Sequence, residues 1–413
     1  MTSESYVWIW LPGELDPVVA GVLRQRGPVI TFAYGRSYLE RDQFPLYIPE
    51  LPLQLDEISP EGDEVAGCIR DAGPDGWGRR VIRHRLQLAS DADEPGILDY
   101  LQLSGSDRAG ALDFQTSPAE YVHRGSTAVT LEHLLQAAEA VEAGEPIAQE
   151  LADALLLESS PGGAYPKAFI QDHGRHLVAK FSSRSEDRPV LKYEYAAMTL
   201  ARRCGLNVAP VELIQVLDRD VLLVERFDRD DIGHRRAVVS ALTVLGLGEI
   251  EGRYASYADL AETVRARFTE PKATLRELFA RITFNILVSN TDDHAKNHAA
   301  FWDGSTLTLT PAFDISPQLR SGGEAVQAMA IGVDGWRMSQ VAGCIERGAT
   351  YLLDRDEALR IVEQQIAVIE EGWDEVAESA GMSSIEREQA RGRQILNPYA
   401  LEGLDDIQRN RSD

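Results

Sequence analysis

Apolar positions in the first third of the chain come in short alternating or continuous runs, YVWIW at Tyr6–Trp10 and VITFAYG at Val29–Gly35, broken by Gly, Pro and Asp. Such runs predict strands, with one helix over Gly78–Leu88. After Gly125 the period changes. Leu131, Leu134, Leu135 and Ala138 recur at helical spacing behind Thr130, a residue type suited to the N-cap, and a second helix is expected near Pro146. FIQD and HLVAKF then flank the polar turn Asp172–Arg175, which reads as a hairpin, and Val221–Val224 forms another apolar strand. From about residue 255 helices dominate, with one stripe at Leu275, Leu278, Phe279 and Ile282. A second runs through Leu359, Val362, Ile366, Ile369 and Trp373 and ends before Gly381. The pattern divides the chain into an α+β module over 1–120, connector helices and a strand-rich region over 121–230, and a helical region over 231–413. No repeat of fixed period and no low-complexity linker interrupts it.

Composition narrows the function classes. The chain has 413 residues, 44% of them hydrophobic, enough for two or three domains at about 150 residues each. With 41 Lys+Arg against 66 Asp+Glu the net charge is −25, which disfavours a nonspecific grip on nucleic acid or on an anionic membrane. DNA is therefore expected only through a partner. The start, MTSESYVWIWLPGELD, lacks a cationic leader, and the best apolar run, Ala237–Gly248, is too short to span a bilayer, so the expected location is cytoplasmic. Cys68, Cys204 and Cys344 show no CxxC spacing and read as separate buried thiols. Arg79, Arg80, Arg83 and Arg85 are expected on a solvated helix face.

Candidate chemistry concentrates in Asn290–Pro317, NTDDHAKNHAAFWDGSTLTLTPAFDISP. Asp292 and Asn297 have the DxxxxN separation of the protein-kinase catalytic loop, in which the Asp accepts a hydroxyl proton and the Asn binds Mg²⁺. AAFW and TLTLTP around Asp303-Gly304 predict a hairpin that delivers Asp314 to the same region. FDI stands where kinases have DFG, without the glycine, and Asp314 with the Asn297 amide would offer Mg²⁺ hard oxygens. Two other readings compete. Asp292 and Asp293 could cap a helix starting near His294, and His294 with His298, four apart, could share a zinc ion, although HExxH would need Glu at Ala295.

Upstream, Lys180 ends the apolar strand LVAK, comparable with the kinase VAIK strand, and Glu194 in LKYEYAAMTLARRCGL is its candidate carboxylate partner. The bland alternative is a surface lysine and a surface glutamate. The preceding loop SSPGGAYPK, with Ser159, Ser160, Gly162, Gly163 and Lys167, would let backbone approach a phosphate, or is an ordinary turn. Beyond Val221–Val224, the segment with Glu225, Phe227 and Asp228 would meet adenine and, through Asp228, ribose.

The set SSPGGAYPK, LVAKF, VERFDR, TDDHAKN and FDIS resembles the HipA family of serine/threonine kinases, toxins of bacterial toxin–antitoxin modules. The N-terminal SYLERDQFPLYIPELPL and RDAGPDGWGRRVI look like that family's N-terminal subdomain. The resemblance implies a two-lobed, α+β protein-kinase-like fold with a mainly helical C-terminal lobe, using Mg²⁺ and ATP. It makes Asp292 the catalytic aspartate, Asn297 and Asp314 the Mg²⁺ ligands, Lys180 the phosphate contact, and Glu225, Phe227 and Asp228 nucleotide contacts. It also places His294 at the ATP site and gives Ser160, with Ser159 as close competitor, as the autophosphorylated loop serine. A small helix-turn-helix, HipB-like antitoxin is the implied partner, and an aminoacyl-tRNA synthetase the implied target. Tyr165-Pro166 and Asp293, the second Asp of TDDH, depart from some family loops. The alternatives are a catalytically silent nucleotide- or antitoxin-binding module and a metal-dependent hydrolase.

Overall fold

The computed structural model describes residues 2–41, 44–88, 94–125, 129–157, 163, 165–183, 188–320 and 323–409. The chain forms two compact units: Met1–Glu186 with Ile214–Val239 and Phe301–Ser305, and Asp187–Leu213 with Ser240–Ala300 and Thr306–Asp413.

In the first unit, β1 (Glu4–Ile9), β2 (Val18–Arg26), β3 (Val29–Tyr34) and β4 (Leu112–Gln115) make a sheet in the order β3-β2-β1-β4, with all three pairings antiparallel. Gly21 in β2 is required by close approach, because a Cβ there would lie 2.2 Å from the Ala33 carbonyl oxygen. Asp113 in β4 is fully buried. Its Oδ1 accepts from Arg108 Nε at 2.9 Å and Arg124 Nη2 at 2.8 Å, and its Oδ2 from Gln115 and Tyr121.

The predicted helix appears as α1 (Gly76–Arg85), two residues earlier than expected, because the Asp75 side chain caps it by accepting from Gly76 N. Its basic cluster is not simply solvated. Arg79 lies over the Tyr100 ring, Arg80 donates to the Glu142 carbonyl, and Arg83 and Arg85 pair with Glu94 and Asp153. The two amphipathic helices follow as α2 (Leu131–Ala143), capped by Thr130, and α3 (Gln149–Leu157). Gly144 closes α2 in the left-handed region at φ 69°, where glycine carries no Cβ penalty. Trp77, Val81, Leu134, Leu135, Leu155 and Phe181 pack together in one core.

A second sheet has the order β5-β6-β8-β7, from β5 (Lys167–Asp172), β6 (Arg175–Phe181), β7 (Val211–Val216) and β8 (Arg219–Glu225). The hairpin read from the polar turn is present: Asp172 pairs with Arg175, and both turn residues, His173 and Gly174, have positive φ (47° and 84°), the turn that matches strand twist. The DG hairpin is present too, as β10 (Ala299–Trp302) and β11 (Leu307–Leu309), in the strand order β11-β10-β9 with β9 (Val238–Ser240).

The second unit is mainly helical. Its principal helices are α4 (Val190–Arg203), α5 (Tyr257–Arg267), α6 (Pro271–Leu287) and α7 (Arg355–Ser379). Helix α6 starts with Pro271, whose missing N–H costs nothing in the first turn. It is buried on nearly every side from Leu278 onward, polar Arg281, Thr283 and Asn285 included. Helix α7 begins with a capping box between Asp354 and Glu357 and packs on α4, where Arg203 pairs with Glu375. Among the described residues no helix is long and apolar enough to cross a membrane. The three cysteines are free, Cys68 and Cys344 buried and Cys204 half-buried.

Burial alone would raise the Asp113 carboxyl, but Arg108 and Arg124 hold it down at about 2. A depressed carboxyl contributes stability that is complete above its ordinary value of 3.8 and is lost as pH falls from there toward about 2. Asp113→Ala strands the buried Arg108 guanidinium and the half-buried Arg124 and is expected to cost about 3–5 kcal/mol in urea unfolding at neutral pH. The difference from the unsubstituted chain should shrink as the measurement moves down through that acid window.

Candidate active site

Helix α6 ends at Leu287, and Ser289 turns the chain at φ 55° into the loop that carries the predicted chemistry. Adjacent acids take opposite environments there: Asp292 is exposed, while Asp293 is only 3% exposed. Asn297 closes a short 3-10 turn, Ala295–Asn297, and its Nδ2 reaches the Asp292 backbone carbonyl at 3.4 Å, so that Oδ1 is the amide atom with acceptor capacity. The helix-capping alternative fails, since the turn's N-cap is His294 and no side chain caps it.

Asp293 is the anchor of this loop. Its Oδ2 accepts from Asn285 Nδ2 at 2.7 Å, from His298 Nε2 at 2.8 Å and from the Tyr257 hydroxyl. Burial pushes its carboxyl up, but the His298 imidazole and the hydrogen bonds from His298 and Tyr257 outweigh that and hold it below the ordinary range. In the paired-histidine zinc reading, His298 Nε2 is taken by Asp293, which leaves only its buried Nδ1. Among the described residues no three His, Cys, Asp or Glu side chains are grouped to hold a metal ion. His294 Nδ1 is buried with no hydrogen-bond partner among the described groups.

Asp314 follows β11 in the same unit. The backbone just before it is pinned on both sides, Ala312 N to the Asn207 carbonyl at 2.7 Å and Ala209 N to the Ala312 carbonyl at 2.9 Å. Asp314 itself sits at φ 59°, the left-handed region that Asp tolerates better than most residues. Glu194 is 3% exposed on the face of α4 that also buries Ala197, Met198 and Ala201, so it is no surface glutamate.

In the first unit, Lys180 is 7% exposed, which rules out the surface-lysine reading. It stands directly opposite Lys167 across the β5–β6 ladder, and Lys167 is equally buried. Facing cross-strand pairs share one side of the sheet, so both lysines belong to the same face. Gly163, at φ 68°, ends the glycine loop next to them; a Cβ there would come within 3.2 Å of Lys167 Nζ. Its carbonyl accepts from Trp77 N at 3.0 Å, at the first turn of α1. Ser159, Ser160 and Gly162 lie outside the described residues.

Glu225 is exposed at the end of β8, and the half-buried Phe227 ring meets Phe301 edge-on at 5.8 Å. Asp228 is occupied differently from what a ribose contact requires. Its Oδ1 accepts from Arg226 Nε at 3.0 Å, and its Oδ2 from Gly110 N at 2.7 Å, Arg226 Nη2 at 2.9 Å and Arg229 Nη1 at 2.9 Å. Despite burial, the two arginines hold this carboxyl at about 2. A sugar hydroxyl would have to displace one of these donors. Sequence reasoning missed this cluster, the Lys167–Lys180 pairing and the Asp293 anchor; alternating charges in RFDRD and the doubled acid in TDDH were the available signals.

Comparison with known proteins identifies the family. The model for the HipA-like C-terminal domain matches residues 159–373, and that for the HipA N-terminal domain matches residues 11–115. The kinase-named Y4mE protein of Sinorhizobium fredii is 26% identical over 382 residues, covering 84% of this chain and 89% of its own. The serine/threonine-protein kinase toxin HipA of Shewanella oneidensis is 29% identical over 158 residues, 33% of this chain and 36% of that protein. A chain from the Shewanella oneidensis toxin–antitoxin complex of HipA, HipB and operator DNA superposes with a TM-score of 0.72 at 19% identity, covering 98% of this chain and 99% of that one, and so has the same fold. A family model that takes in more than half of the residues, with its N-terminal companion ahead of it, is decisive: this chain belongs to the HipA family of kinases.

Proposed function

We propose that the chain transfers the γ-phosphoryl group of ATP to serine or threonine hydroxyls of a protein, acting as the toxin of a toxin–antitoxin pair. The observation that carries this reading is the Asn290–Asn297 loop, in which an exposed Asp292 stands beside the buried Asp293 and has its backbone carbonyl held by Asn297. Asp292 is the base that accepts the proton of the attacking hydroxyl. Asn297 Oδ1 and the Asp314 carboxylate are hard oxygen donors of the kind Mg²⁺ takes when phosphate and water complete its shell. When bound, the ion supplies neutralisation of charge on the triphosphate.

The remaining assignments are also proposals. Lys180 serves the phosphates, with Glu194 as its carboxylate partner; Gly162 and Gly163 give backbone access. His294 lines the nucleotide site, and its buried, partnerless Nδ1 suits a ligand group. Glu225 and Phe227 border the base, while Asp228 shapes that segment through its arginines. Ser160, or Ser159 beside it, is the autophosphorylation site. Residues 1–120 form the family's N-terminal subdomain, 121–230 the connector and N-lobe-like region, and 231–413 the helical C-lobe-like domain. A HipB-like helix-turn-helix antitoxin is the proposed partner, supported by the composition of the Shewanella oneidensis complex and by the charge of −25, which favours a basic DNA-binding protein. DNA is reached through it. The proposed location is cytoplasmic, and the proposed target class is aminoacyl-tRNA synthetases, on family resemblance.

Incubation with γ-labelled ATP and Mg²⁺, followed by mass-spectrometric mapping of labelled residues, tests the reading. Asp292→Ala should cut transfer by about 10²–10⁴ while leaving ATP-induced thermal stabilisation in place. Undiminished transfer in that variant would refute the role of Asp292, and ATP stabilisation of the unsubstituted chain without any label incorporated would support the silent-module alternative. A ligand at 100 times its dissociation constant stabilises by about 2.7 kcal/mol. The part of that stabilisation that depends on Mg²⁺ should disappear in Asp314→Ala, and its persistence would exclude Asp314 as a ligand.

A further inference from the structure

We infer that Asp293 is a positioning residue for phosphoryl transfer: its buried carboxylate, shared by Tyr257, Asn285 and His298, fixes the loop that presents Asp292 and Asn297. The inference rests on the kinase reading of that loop and adds to it a second, non-reacting acid.

The argument starts from one oxygen. Asp293 Oδ2 accepts three hydrogen bonds from three separate places in the chain: the first residue of α5, the last turn of α6, and the residue just before β10. Each donor is itself held. Asn290 Nδ2 donates to Asn285 Oδ1 at 3.2 Å, so the Asn285 amide is oriented with its NH₂ toward Asp293. The His298 ring stands edge-on to Tyr257 at 5.7 Å, and Tyr257 N donates to the Ala330 carbonyl. The loop is therefore tied at its entry through Asn290, at its exit through His298 and in its middle through Asp293, and Asp292 directly precedes the middle tie.

Stability alone does not call for this arrangement. Burying a carboxylate costs desolvation, and well-packed apolar residues often serve a core as well or better. What a buried polar hub with converging donors gives is a single geometry, and a displacement of about 1 Å in a catalytic group is enough to cost about 10²-fold in rate. A hub one residue from the base acts on direction, not on the base's chemistry. It should affect the transfer step and leave nucleotide affinity nearly alone.

The experiment measures kcat and ATP KM at a temperature where each variant is folded. Asp293→Asn keeps the volume but offers an NH₂ where donors converge, and should lower kcat about 10- to 100-fold. ATP KM should stay within about threefold, the signature of an interaction that acts in the transition state rather than in binding. Tyr257→Phe, which removes one donor and keeps the ring, should lower kcat less, in the same direction, and decides the matter if Asp293→Asn does not fold. His298→Gln, which retains an N–H donor, should transfer faster than His298→Ala. Wild-type kcat in folded Asp293→Asn or Tyr257→Phe would overturn the inference, as would a loss that disappears on cooling to equal stability. Absence of transfer by the unsubstituted chain would instead overturn the kinase reading, and the inference with it.

Discussion

A carboxylate taken out of water has to be met by donors, and the segments that supply those donors become fixed relative to one another. In the helical unit this constraint acts at Asp293, whose Oδ2 gathers Tyr257, Asn285 and His298 from three elements. The first unit solves the same problem with guanidinium groups, at Asp113 through Arg108 and Arg124 and at Asp228 through Arg226 and Arg229. Most of these pairs are close in sequence, but the Asp228 cluster also reaches back to the Gly110 backbone, 118 residues away. Loops that would otherwise sample many conformations are held at a few buried oxygens.

The candidate chemistry sits next to these anchors, not on them. Asp292 is exposed where Asp293 is buried, and Glu225 and Phe227 flank a segment whose rigid members are Arg226 and Asp228. One of each pair of neighbours spends its charge inside the protein, and the other offers its charge or ring outward. This division explains why Asp228 reads as a nucleotide contact in sequence but is saturated by arginines in the fold. At Asp314 the backbone is the fixed part, with a left-handed φ and Ala312 pinned on both sides just before it.

Much of this was legible in the sequence because the signals are local. The i, i+3, i+4 stripes behind Thr130 and before Gly381, and the turns His173-Gly174 and Asp303-Gly304, each encode their own geometry within a few residues. Strand β2 was not legible: Gly21 breaks its apolar run, for a reason that lies on the neighbouring strand, where the Ala33 carbonyl comes too close for a Cβ. The arginines of α1 looked solvated because their partners, Glu94, Asp153 and the Glu142 carbonyl, are supplied by later segments. The same holds for Asp293. A doubled acid is ambiguous until Tyr257, 36 residues earlier, and Asn285, in the last turn of the preceding helix, are known to point at it.

The account makes the Asn290–Asn297 loop and Asp314 one metal-binding and phosphoryl-transferring site. Crystals grown with a non-hydrolysable ATP analogue and Mn²⁺ test that most directly, since the anomalous signal of manganese locates the ion independently of any model of the protein. The account predicts manganese ligated by Asn297 Oδ1 and the Asp314 carboxylate, with Asp292 uncoordinated beside the terminal phosphate. Manganese bound elsewhere, or held by His294 and His298, would contradict it.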